Sequence, residues 1–374
     1  MSILILGFPG DVHIHAVRWA LDQAGADHQV LYTPDLPQML RASVRLGGGM
    51  LPTASFHCAR TAGKTGDYDT VWFRRSGLSM RPPSMPDADW TIAERECDHH
   101  IAILRQHLAP NAYWVNDAEA RERAMLKSPQ LEAARQCGLA TPDTLYSNDP
   151  DEIRRFYAEH RESGVIFKLV HQSYWHAQAS GARHALFTTQ LRDEDLRDDA
   201  ALSVCPATYQ RKIEKRYELR VTCMDEACYP ARLDSQSREK TRMDWRSDFS
   251  QPLVPQRVEL PPQVEERCVQ LMRRLGLAFG CIDLIVTPEG DYVFLEVNEM
   301  GQFLFVEERA PEIPLLRAFA TLLVERKLTR SSKLVGSEQL NYAAYLACGD
   351  FDLACAADGV HHAPYQVPGL ALEP

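Results

Sequence analysis

The chain has 374 residues, long enough for two or three domains at about 150 residues each. With 45% hydrophobic and 25% charged residues it has the ordinary globular balance, which excludes disorder and any need for a disulfide or metal staple. A net charge of -10, from 41 basic and 51 acidic side chains, argues against broad nucleic-acid binding and against adsorption to an anionic membrane.

Ile3-Leu4-Ile5-Leu6 predicts a short apolar strand. Residues 12–24 then show the helical spacing of Ile14, Val17 and Leu21, and Gly25 ends that helix. Further strands are predicted at 29–32 and 71–73, so residues 1–115 read as a small open α/β domain. Gly47-Gly48-Gly49 and Arg81-Pro82-Pro83-Ser84-Met85-Pro86 read as loop punctuation. A long helix is expected over 87–108, closed by Pro110.

The next unit begins near Asn116, read as the N-cap of a charged helix over 118–126. Ser128-Pro129 breaks it, and Pro129 starts a helix over 130–137 that Gly138 ends. Strands follow at 165–170, 219–222 and 229–233, the last two as neighbours. Pro261-Pro262 introduces a helix whose apolar side carries Val264, Cys268, Leu271 and Leu275. Two strong strands, 281–286 and 292–297, are joined by Pro288-Glu289-Gly290, a hairpin signal. A last helix is expected over 313–326. The segment 331–374, with its glycines and prolines, reads as a loosely structured appendage.

Ten cysteines are scattered without a C-x-x-C pair, which disfavours a zinc site, a redox motif or a secreted disulfide framework. The N-terminal apolar stretch is too short for a signal peptide, and no run approaches the roughly 18 apolar residues of a membrane span. A cytoplasmic location is expected.

The chemistry concentrates in the hairpin near the C-terminal end. Asp283 interrupts the apolar run Gly280-Cys281-Ile282-Asp283-Leu284-Ile285-Val286. Glu296 and Asn298 are two apart in a strand, so they share a face, and pairing across the turn lets Asp283 join them. Two carboxylates and an amide oxygen are hard ligands suited to Mg²⁺ on nucleotide phosphates. Lys168 sits inside an apolar strand, where a lone ammonium is costly without an anion. Lys127, taken alone, reads as a surface lysine. The polar stretch 171–183, with Ser180-Gly181, is long enough to fold over a nucleotide as a lid. The basic run 210–220 reads either as a charged strand edge or as a place where Arg220 meets developing negative charge. Met243-Asp244-Trp245-Arg246 adds polar groups without a packing role.

Other signals fail. Ala62-Gly63-Lys64-Thr65 resembles the end of a phosphate loop, but the first glycine of that pattern would fall at Cys58. His99-His100 and His361-His362 lack metal-ligand spacing.

The order Lys127, Lys168, the 210–220 hinge, Asp283, Glu296 and Asn298 resembles the ATP-grasp ligases. Within them the chain is similar to the graspetide (microviridin-type) peptide ligases. The resemblance rests on Val71-Trp72-Phe73-Arg74-Arg75, Tyr217-Glu218-Leu219-Arg220-Val221-Thr222, Asp234-Ser235-Gln236, Asp244-Trp245-Arg246 and the block from Tyr292 to Asn298 with Gly301-Gln302-Phe303. It covers roughly residues 1–328 and implies an α/β architecture, an ATP-grasp fold of two subdomains gripping ATP behind a small α/β domain. The implied division is 1–115, 116–205 with the lid, 206–330 with the metal site, and an extension 331–374.

Residue roles follow from the same resemblance. Lys127 and Lys168 would hold the phosphates of ATP. Gln210, Lys212 and Ile213 would form the adenine hinge and Glu218 would take the ribose. Asp283, Glu296 and Asn298 would carry Mg²⁺. Arg220 would stabilise an acyl phosphate and the tetrahedral species after it. The general base is not identified by the resemblance or by the sequence, and Asp234 is the candidate to test. The chain departs from the family where Glu299 stands in place of a common proline, where the strand Leu31-Tyr32-Thr33-Pro34-Asp35 lacks a frequent arginine, and in the segment after 330.

The implied activity joins Asp or Glu side chains of a ribosomal precursor peptide, bearing a leader and an acidic core, to Ser or Thr hydroxyls or Lys amines, and a homodimer is implied with it. The alternatives are an ATP-grasp ligase for free amino acids or a protein terminus, and an ATP-binding regulatory module without catalysis.

Overall fold

Ile3, Leu4, Ile5 and Leu6 make one strand apolar on both sides, and the fold buries both. The structure, a computed structural model, describes residues 1–171, 174–176, 183–248 and 250–361. Strand Ser2–Gly7 lies inside a four-stranded parallel sheet, ordered Asp27–Tyr32, Ser2–Gly7, Thr70–Phe73, Tyr113–Val115. Ile3 and Ile5 face helices Val12–Gln23 and Leu315–Glu325, while Leu4 and Leu6 face helix Asp87–Leu108.

Three elements differ from the sequence reading here. Gly47-Gly48-Gly49 is the tip of a hairpin between Arg41–Gly47 and Met50–His57, and Ala62–Lys64 pairs onto it as a third antiparallel strand. All three glycines have positive φ, which a tight reversal permits. Asp117, rather than Asn116, caps helix Ala118–Met125 by accepting from the Ala120 amide at 2.9 Å. The next helix, Lys127–Gln136, starts at Lys127, which places Pro129 within its first turn.

A five-stranded antiparallel sheet, ordered Gln256–Arg257, Ala227–Leu233, Tyr217–Met224, Phe279–Val286, Tyr292–Asn298, forms the second core. Leu219, Val221, Ile282 and Leu284 point to one face and pack under helices Pro262–Leu275, Ala118–Met125 and Lys127–Gln136. Gly276, with φ of 73°, ends helix Pro262–Leu275. A third sheet, ordered Thr189–Gln190, Val165–Leu169, Ala207–Arg211, Thr144–Ser147, is also antiparallel. It runs past the expected boundary at 205 to Arg211.

Helix Leu315–Glu325 is wedged between the parallel sheet and the five-stranded sheet. Phe319 lies 4.9 Å from Trp72 on one side and 4.7 Å from Phe279 on the other, ring centre to ring centre. Asn116 spans the same junction, donating at 2.7 Å to the carbonyls of Phe279 and Glu299 and accepting from the Phe279 amide at 2.9 Å.

The segment after 330 is not loose over its described part. It forms helices Tyr342–Ala347 and Asp350–His361, and Leu340, Tyr342 and Tyr345 are buried in the main core. Gly336 and Gly349, two of the glycines behind that reading, take positive φ at turns of this segment, Gly359 lies inside the second helix, and Pro364, Pro368 and Gly369 lie outside the described residues. Among the described residues no helix is long and apolar enough to cross a membrane.

Candidate active site

Alternation along the five-stranded sheet places Glu218 and Arg220 on the face opposite Leu219 and Val221. Arg220 is directly opposite Asp283, and Asp283 is directly opposite Glu296, so three charged residues lie in file across adjacent strands. Asn298 stands two residues beyond Glu296. The register slips between Asp283 and Leu284, where Leu284 pairs with Phe294 and Leu295 is the extra residue. That bulge sends Phe294 into the core and turns Glu296 to the cleft.

Arg220 Nη1 donates at 2.9 Å to both oxygens of Asp283, and Nη2 donates to the Gln302 carbonyl at 3.2 Å. Asn298 Nδ2 donates to Asp283 Oδ2 at 3.0 Å. Lys127, which the sequence alone made a surface lysine, pairs with Glu296 from the start of its helix. Arg246 approaches the other oxygen of Glu296 at 3.9 Å.

Burial raises Asp283, against the pull of Arg220 and with the push of Glu296. Burial acts in the same sense on Glu296, but Lys127, Arg246 and Lys168 together hold it well below the usual carboxylate range. Lys168 is brought down to about 8, by burial first and then by Lys127.

A cleft of about 260 Å³ opens between this face and the sheet that carries Lys168 and Gln210. Its lining includes Lys127, Lys168, Gln210, Lys212, Ile213, Glu218, Asp283 and Glu296. Gln210 Nε2 donates to Thr144 Oγ1 at 2.9 Å, which leaves its buried Oε1 without a partner among the described residues. Lys212 reaches Gln190 at 3.0 Å. Glu218 accepts from Lys215 at 3.0 Å, and burial raises its pKa despite that lysine.

Arg220 and Asn298 stand just behind the lining, bonded to Asp283, and Asp234 is not in it either. Its half-exposed carboxylate lies 3.8 Å from Arg232. Asp244 lies in the cleft instead, 3.2 Å from Thr188 Oγ1 and fork-bonded to Arg246 at 2.9 Å. Burial opposes its ionisation, but Arg246 holds it below the usual range. Sequence reasoning noticed Asp244 and Arg246 as polar residues without a packing role and as part of the motif that carries the resemblance, but gave them no role, and nothing in their spacing says that they face the cleft. Of the expected lid over 171–183, residues 172–173 and 177–182, Ser180-Gly181 among them, lie outside the described residues.

No family model matches the chain, and no curated protein does. Among solved structures, the macrocyclase MdnC bound with precursor peptide MdnA, from Microcystis aeruginosa MRC, aligns at 28% identity and a TM-score of 0.76. The alignment covers 87% of this chain and 100% of MdnC. The RiPP-associated ATP-grasp ligase of Chryseobacterium gregarium, in complex with ADP and a leader and core peptide, aligns at 26% identity and a TM-score of 0.79, over 88% of this chain and 98% of its own. By fold the chain is an ATP-grasp protein, similar to the graspetide ligases. The macrocyclase MdnB from Microcystis aeruginosa MRC agrees, at 26% identity and a TM-score of 0.69 over 86% of this chain and 99% of its own. The cleft lies between two antiparallel sheets, with Lys168 and Gln210 on one and Glu218, Asp283 and Glu296 on the other, and Lys127 reaches Glu296 from the helix packed on the latter.

Proposed function

We propose that this protein is an ATP-dependent ligase that activates Asp or Glu side chains of a ribosomal precursor peptide as acyl phosphates and joins them to Ser or Thr hydroxyls or Lys amines. The observation that carries this reading is the file Arg220, Asp283, Glu296 across three adjacent strands, facing Lys127 and Lys168. The similarity to ligases seen with precursor peptides supports the choice of acceptor.

Gln210, Lys212 and Ile213 are proposed to border the adenine, where the free Gln210 Oε1 can accept from the exocyclic amine. Glu218 is placed to meet the ribose, and Lys127 and Lys168 the phosphates. The donor set Asp283, Glu296 and Asn298, two carboxylates and an amide within one face, fits Mg²⁺. Bound there, the ion would neutralise charge on the nucleotide phosphates.

A substrate carboxylate oxygen attacks the γ-phosphorus and ADP leaves. The hydroxyl or amine then attacks the acyl carbon and gives up a proton, and phosphate leaves carrying that proton as HPO4²⁻; a lysine that starts as an ammonium sheds one further proton to solvent. Arg220, fixed by Asp283 and by the Gln302 carbonyl, is a rigid cation directly behind the cleft lining at Asp283, the preorganised kind of donor that stabilises a developing oxyanion. Asp234, half exposed beyond the cleft, is carried forward as the base to test, with Asp244 as its competitor inside the cleft. A homodimer, a cytoplasmic location and a division near 115 and 330, with the middle boundary moved from 205 to just after Arg211, belong to the same reading.

The deciding experiment incubates the protein with ATP, Mg²⁺ and an Asp/Glu- and Ser/Thr/Lys-rich precursor peptide, beside an Asp283→Ala control. Loss of one water mass per link, absent in the control, is the expected result by mass spectrometry. ADP release with an unmodified peptide would move the acceptor to a free amino acid or a protein terminus. No ADP with any acceptor would favour a regulatory nucleotide-binding module.

A further inference from the structure

Glu307 is 1% exposed and its carboxylate is shared between two backbone amides. Oε2 accepts from the Leu316 amide at 2.6 Å and Oε1 from the Tyr342 amide at 3.1 Å. These amides open helices Leu315–Glu325 and Tyr342–Ala347, where N–H groups lack partners within the helix. A buried carboxylate is costly unless such bonds satisfy it, and burial pushes Glu307 up to about 7.

Glu307 belongs to helix Leu304–Arg309, whose other contacts reach the cleft. Phe305 stacks on Trp245, a lining residue, with ring centres 5.6 Å apart. Gln302, just before the helix, accepts from Arg220. Phe303 between them is buried, its amide donating to His13 Nε2 at 3.3 Å.

Tyr342 belongs to the segment after 330. MdnC aligns over all of its own length yet covers 87% of this chain, and that segment is about the size of the remainder. The segment is anchored by Tyr345, 1% exposed and 5.7 Å from the Trp19 ring, and by main-chain bonds of Val335 to Thr321 Oγ1 at 3.0 Å and to Arg317 Nε at 3.1 Å.

We propose that residues 331–361 are an internal strut for the catalytic loop, with Glu307 as the positioning residue that transmits it. The strut holds helix Leu304–Arg309 in place, so that Phe305 stays on Trp245 and the Gln302 carbonyl stays on Arg220. Its effect on turnover rests on the ligase reading above, whereas its effect on the loop does not.

Two substitutions test it in the full chain. Tyr345→Ala releases the segment without touching a cleft residue, and Glu307→Gln sets an amide NH₂ where one of two N–H donors must be accepted. Hydrogen exchange is followed over 302–309 and 340–350, together with single-turnover ADP formation and nucleotide affinity. In each variant, exchange over 302–309 is expected to rise on the order of tenfold or more. Turnover should fall by about as much while nucleotide affinity stays within about twofold, and the double variant should be no worse than the worse single.

Native exchange over 302–309 while 340–350 exchanges fast overturns the proposal. So do effects that multiply in the double variant, or unchanged turnover with a loosened loop. If either variant fails to fold, a protease site at the exposed Arg330-Ser331 junction is cut in the folded protein and the segment is separated. The same rise over 302–309 is then expected, and its absence is equally decisive. If the unmodified protein yields no ADP with any acceptor, the ligase reading fails, and the exchange result still decides the strut.

Discussion

Arg220 and Asp283 face each other across neighbouring antiparallel strands, and one guanidinium nitrogen lies 2.9 Å from both carboxylate oxygens. Each fixes the other beside the cleft, Asp283 on its lining and Arg220 buried behind it. Arg220→Ala should lower single-turnover formation of the ester or amide link on the order of a hundredfold or more, the size of losing about 2.7–4 kcal/mol of oxyanion stabilisation. It also strands a buried carboxylate, so the melting temperature should drop as well. Arg220→Lys keeps the charge but loses the fork, and should recover stability better than rate. A wild-type rate in Arg220→Ala would remove this residue from the chemistry.

Gln210 keeps its amide nitrogen on Thr144 and its buried oxygen free toward the cleft. Gln210→Leu should weaken ATP binding by about 1–2 kcal/mol, a factor of roughly 5–30, with little change in GTP binding. Calorimetric titration with both nucleotides measures this, and equal losses would mean that the side chain does not read the base.

Gly301 has φ of 47° in the turn after Asn298, and a Cβ there would come within 2.6 Å of Phe279 Cε1. Gly301→Ala combines backbone strain with a clash against a core ring. A loss on the order of 1–3 kcal/mol is expected in denaturant unfolding, together with weaker Mg²⁺-dependent ATP turnover because the turn holds Gln302. An unchanged unfolding midpoint would show that the loop has slack.

Glu307 supplies a pH dependence whose sign can be stated. Its folded pKa of about 7 lies above the 4.5 of an ordinary Glu, because burial disfavours the charge more than the Leu316 and Tyr342 amides compensate for it. Between those values the folded state holds a proton that the unfolded chain has released. The stabilising contribution is therefore full below about pH 4.5 and is lost as pH rises through about 7. Over that window stability should fall by on the order of 1–3 kcal/mol relative to Glu307→Gln, which has no such titration. Parallel pH profiles of the two proteins by chemical denaturation check it.

Much of the site was legible because strand alternation and ionisable residues inside apolar runs are local signals. Asp283 among Ile282 and Leu284, and Lys168 behind Phe167, stand out against their neighbours in one dimension. Helices Val12–Gln23 and Pro262–Leu275 were equally plain from apolar spacing beside a closing glycine or an opening proline pair, and Asp87–Leu108 from the proline beyond its end. Asp244 was not, since it lies in irregular chain where no period says which way a side chain turns.

By itself the sequence determined which residues form strands and helices, which side chains on them are out of place in an apolar run, and the order in which those chemical groups follow one another. Only the tertiary structure decided how they meet. Lys127 changed from a surface lysine to the partner of Glu296 because its helix packs on the five-stranded sheet. The bulge at Leu295 turned Phe294 and Glu296, two residues apart, to opposite faces. The segment after 330 became part of the core because Tyr342 and Tyr345 find their apolar neighbours more than 300 residues away in helix Val12–Gln23. Alternation and periodicity are short-range consequences of backbone geometry, whereas register, bulges and docking depend on contacts between segments far apart in the chain.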